Sequence, residues 1–94
     1  MNVHIESADL KKNEEGHFIG HTQFRIEGYK DTYELTFFSK RGTNWDYSIN
    51  FAKESGKEED LLTIDKMIEE DDDLFDQLLD AALDAMEPTA SEEV

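Results

Sequence analysis

The chain has 94 residues and a formal net charge of −15, from 24 carboxylates against nine lysines and arginines. That length suits one domain with one modest core, and the acidity excludes a direct nucleic-acid ligand or an anionic membrane, both of which need a basic surface. It contains no cysteine, which excludes disulfide staples, thiolate metal sites and cysteine nucleophiles.

The first ten residues carry Glu6 and Asp9 and no apolar stretch of the kind a signal peptide has. No apolar run approaches the ~20 residues of a membrane helix, so a cytoplasmic location is the expectation. A short strand is expected where Val3 and Ile5 alternate with His4 and Glu6, and the polar stretch 11–16 reads as a loose turn. The second strand puts Phe18, Thr22, Phe24 and Ile26 on one face and His17, His21, Gln23, Arg25 and Glu27 on the other, with Ile19 the exception. The third puts Tyr33, Leu35 and Phe37 opposite Thr32, Glu34 and Thr36, and the fourth puts Trp45, Tyr47, Ile49 and Phe51 opposite Asp46, Ser48 and Asn50. The connections at 28–31 and 40–44 are short and contain Gly28 and Gly42, which suits antiparallel neighbours. The expected product is a four-stranded antiparallel meander with one apolar, aromatic face that has to be covered.

The cover follows in sequence. Ser55 and Glu58 have the spacing of a capping box. Leu61, Ile64 and Ile68, then Phe75, Leu78, Leu79, Ala82 and Met86, recur at helical spacing. One helix over 58–86 would run ~43 Å, longer than the ~30 Å of a nine-residue strand, and would put Asp71 in the apolar stripe. Two helices, at 58–69 and 73–86, with a break near Asp71-Asp72-Asp73, avoid both problems, and aspartate is a good N-cap. Pro88 ends the helical pattern. The expected organisation is one α+β domain over 1–87, with the sheet in 1–54 and an acidic helical region in 57–86, followed by a disordered acidic tail over 88–94.

Charge is divided between the halves. Residues 1–56 hold nine acids and seven bases, whereas residues 57–94 hold fifteen acids and two bases. Such asymmetry points to electrostatic choice of a partner. Asp76, Asp80 and Asp84 repeat at i,i+4, and Asp65 and Glu69 extend their row if the helix direction is kept. Like charges at that spacing destabilise a helix by roughly 0.2–0.5 kcal/mol per pair, and no lysine or arginine follows Lys66. With Asp72 and Asp73 these residues form either a solubilising outer face or a docking surface for a basic protein.

The run from Glu69 to Asp73 lacks the alternating acids and central glycine of a calcium loop, and adjacent helical residues point apart, so no metal is expected there. His17 and His21 would stand ~13 Å apart along a strand, too far to share an ion. The strand aromatics share the face that needs burial, which makes them core. Phe38 and Ile19 have the opposite parity and could form a small apolar patch or a self-association contact. No nucleophile–base set, phosphate-cradling loop or zinc-protease motif is present, so neither catalysis nor a cofactor is expected. The leading reading is therefore a non-catalytic interaction or regulatory module for a basic partner, as a monomer or weak dimer. The alternatives are a nucleic-acid mimic that inhibits a DNA- or RNA-binding protein, and a divalent-cation-binding domain centred on residues 69–73.

Overall fold

Alternation of period two makes the first half of the chain a sheet. In a computed structural model that describes residues 2–86, the strands are β1 (Val3–Lys12), β2 (Phe18–Ile26), β3 (Tyr33–Ser39) and β4 (Asp46–Phe51). They form one antiparallel sheet in the order β1-β2-β3-β4. Two helices follow, α1 (Glu58–Glu70) and α2 (Asp72–Ala85). The α+β fold is thus the one the alternation implies, a meander covered on one face by two helices. The expected tail over 88–94, and Pro88 with it, lies outside the described residues.

The core lies between the sheet and the helices. Phe24, Tyr33, Leu35 and Phe37 from the sheet and Ile64, Leu78 and Ala82 from the helices are fully buried. Burial of each large apolar side chain contributes roughly 1.5–3 kcal/mol. α2 packs mainly on β1 and β2, and α1 packs on β4. The Thr22 hydroxyl, buried on the core face of β2, donates to the Leu78 carbonyl at 2.9 Å and ties the sheet to the middle of α2. Gly20 lets β1 and β2 close over one another: a Cβ there would stand 2.6 Å from Leu10 Cδ1 and 2.8 Å from the Asp9 carbonyl.

Four expectations are corrected. β1 is a ten-residue strand, not a short one, and Lys11 and Lys12 belong to it instead of to the turn. The reason is a bulge. The register passes from Ile5↔Phe24 to Ser7↔Gln23, leaving Glu6 as the extra residue, so the core-facing parity moves from Val3 and Ile5 to Ala8 and Leu10. Strict alternation ends at the bulge, which hid Leu10 as a core residue, 4% exposed.

The capping box does not form. Lys57 occupies the cap position of α1 with no side-chain hydrogen bond, and its N–H donates to Asp31 Oδ2 at 3.1 Å. Gly56 packs against the same carboxylate, where any Cβ would collide with it. The residue that closes this end of α1 is therefore distant in sequence, on the β2–β3 turn.

The helices run two residues closer together than expected, with Asp71 alone between them. Its extended backbone, φ −118° and ψ 98°, interrupts the helical phase, and its Oδ1 accepts from the N–H groups of Asp73 and Leu74 at 3.0 and 3.2 Å. Leu74 joins the core at 4% exposed. Lastly, Trp45, Tyr47, Ile49 and Phe51 share the core face but are only half-buried. β4 is an edge strand, and the helices cover an edge less fully than the centre.

Candidate functional site

Asp65 and Glu69 lie one turn apart on α1, the helix that packs on β4. With Trp45, Asp46 and Tyr47 they line a groove of about 360 Å³ beside the edge of the sheet. The two aromatic rings are held from behind. Trp45 stands edge-on to Phe18 and Phe37, with centroids 6.2 and 6.4 Å apart, and Tyr47 tilts against Phe75 of α2 at 5.3 Å. Burial pushes the Tyr47 phenol above its ordinary range, and the Asp65 and Glu69 carboxylates push it further. Both acids thus project negative potential into the groove, over rigid aromatic surface suited to a cation.

The acids of α2 are placed differently. Because Asp71 breaks the phase, Asp65 and Glu69 do not continue the row of Asp76, Asp80 and Asp84. Asp72, Asp76, Asp80 and Asp84 are exposed and repeat at one-turn intervals along α2. Asp73, also exposed, borders a smaller groove of about 190 Å³ with Val3, Asp71, Leu74 and Gln77. The structure therefore divides the acidic residues into a groove pair on α1 and an outer row on α2.

Among the described residues the three close contacts between a carboxylate and a basic or imidazole nitrogen all lie in the sheet half: His17 with Glu15 at 3.5 Å, His21 with Asp9 at 3.0 Å, and the Arg25–Glu6 ion pair at 2.6 Å. Among the same residues, no carboxylate of either helix has a basic partner within that range.

The face of the sheet away from the helices carries Ile19 and Phe38, which are direct cross-strand partners and half-buried. The His17 ring stands edge-on to Phe38 at 5.5 Å, so the apolar area they offer is small. Each histidine of this region is engaged by a neighbour, and no group of three or more possible metal ligands converges among the described residues. Asp71, in the middle of the acidic run, spends its carboxylate on the cap of α2.

Alternation along β4 puts Trp45 and Tyr47 in the core and does not single out Asp46. The available signal was topological: the last strand of a meander is an edge, so its aromatics are half-covered and its neighbours border a groove.

No family model, curated protein or solved structure matches the chain. The class is the one its fold defines, an α+β domain built as a four-strand antiparallel meander beneath two helices.

Proposed function

We propose that the domain is a non-catalytic interaction module that binds a basic protein surface through its acidic helices. The observation that carries this is the segregation of charge: the close contacts between carboxylates and basic nitrogens found among the described residues all lie in the sheet half, whereas Asp72, Asp76, Asp80 and Asp84 repeat along α2 exposed and without a basic neighbour. Such a row weakens a helix by a few tenths of a kcal/mol per pair, so folding alone offers no reason for it. An acidic face of this kind steers a basic partner and disfavours wrong ones.

No helix among the described residues is long and apolar enough to cross a membrane.

The test combines Asp76→Asn, Asp80→Asn and Asp84→Asn. Thermal melting should hold or rise, and capture of basic proteins at low salt, released by a high-salt wash, should fall. Unchanged capture makes the row a solubilising face only. A sharp fall in melting temperature makes it structural.

A further inference from the structure

β4 ends the sheet, so no strand lies on its outer side. An unpaired edge is a template for another chain unless something guards it. The opposite edge, β1, is guarded by the bulge at Glu6 and by the exposed charges of Glu6, Asp9, Lys11 and Lys12. β4 has none of these devices. It pairs with β3 in unbroken register, its one charged residue is Asp46, and it contains neither lysine nor proline. Tyr47, Ile49 and Phe51 on its core face remain half-exposed, and an added strand would cover them.

We propose that the free edge of β4 takes up an extended basic segment of a partner protein by strand addition, with one lysine or arginine side chain of that segment seated over Trp45 and Tyr47 between Asp65 and Glu69. An added strand lies ~4.8 Å from β4, and alternate side chains of it point to the helix side of the sheet. Beside Tyr47, that direction leads into the groove between β4 and α1. Main-chain bonds supply affinity in such complexes, and alternate side-chain seats supply specificity.

Charge selects the occupant. A second copy joined edge to edge would bring its own Asp65 and Glu69 toward this pair and would add to the self-repulsion of a chain with net charge −15. A basic segment meets the opposite situation. This inference rests on the basic-partner reading and specifies where that partner docks.

The probe is a synthetic peptide of alternating valine and arginine, titrated at low salt into the full ¹⁵N-labelled chain. One control peptide is N-methylated at alternate backbone positions, and another has glutamate in place of arginine. Amide shifts and slowed hydrogen exchange should concentrate in Asp46–Phe51, and the emission of Trp45, the single tryptophan, should change. N-methylation should weaken binding at least about tenfold, as should the pair Asp65→Asn and Glu69→Gln, whose fold is checked in the same spectra. The glutamate peptide should not bind.

Shifts confined to α2, lost in the Asp76, Asp80 and Asp84 asparagine variant and indifferent to N-methylation, overturn the edge site and leave the basic-partner reading standing. Exchange protection of β4 without peptide, together with a concentration-dependent dimer in sedimentation, gives the edge to a second copy and overturns the proposal. No binding by the arginine peptide at millimolar concentration overturns both readings.

Discussion

Tyr33 sits fully buried, its ring between Phe24 and Phe51 at 5.9 Å from each, and its hydroxyl has no hydrogen-bond partner among the described residues. A polar group left buried and unpaired costs about 1–3 kcal/mol, while the ring supplies core contacts. Tyr33→Phe keeps the ring and removes the orphan. The variant should be more stable by about 1 kcal/mol in chemical denaturation at neutral pH. Alkaline pH sharpens the comparison. Burial, with help from the nearby Asp31 and Asp60 carboxylates and Tyr29, pushes the Tyr33 phenol up to about 12. The folded state then keeps a proton that the unfolded chain releases from its ordinary value of 10. The stability linked to this group is intact below pH 10 and is lost as pH rises toward 12, by up to about 2–3 kcal/mol. The phenylalanine variant should lose less over that window. Some loss should persist in it, because the Tyr47 phenol is raised too. Parallel losses in the two proteins would reject the assignment to Tyr33.

Two elements owe their form to single residues whose removal separates local from tertiary causes. Asp71 both ends α1, through its N–H to the Met67 carbonyl at 2.9 Å, and starts α2, through the two bonds its carboxylate accepts. Asp71→Ala should cost about 1 kcal/mol, measured as a shift in the denaturation midpoint, whereas Asp71→Asn, which can still cap, should stay close to the parent. Glu6 is the opposite case. It is the unpaired residue of the β1 bulge, and every pairing on either side is compatible with its absence: Ile5 would still face Phe24 and Ser7 would still face Gln23. Deletion of Glu6 should therefore leave the fold in place. The loss should be no more than the exposed ion pair to Arg25, about 0–1 kcal/mol. Amide spectra that lose the β1–β2 pairing on deletion would show that the bulge itself sets the twist of this edge.

The molecule measures 45 × 24 × 21 Å along its principal axes. In dilute buffer, near 0.01 M salt, the screening length is ~30 Å, larger than either short dimension, while at 0.15 M it falls to ~8 Å. Most of the acids of residues 57–94 then repel one another across the whole molecule at low salt and only locally at physiological salt. The melting temperature should rise with sodium chloride over this range. The rise should be smaller in the Asp76, Asp80 and Asp84 asparagine variant. A melting temperature independent of salt would mean that the acidic helices carry no net repulsion, and the argument that their charge awaits a partner would lose its energetic basis.

The features legible in the sequence are those that a few neighbouring residues decide. The buried faces of β2 and β3 follow from strict alternation around Phe24, Leu35 and Phe37. The two helical stripes follow from the spacing of Ile64, Ile68, Leu78 and Ala82, and the break follows from an aspartate where a continuous helix would bury it. Tertiary structure decided the rest. The length of β1 depends on a bulge that only pairing with β2 makes tolerable. The start of α1 is held by Asp31, 26 residues away. The groove exists because β4 is the edge strand and α1 lands beside it, which brings Trp45, Asp46 and Tyr47 against Asp65 and Glu69. Periodicity shows which way a side chain points. Which strand is left at the edge, and which helix covers it, are properties of the assembled sheet.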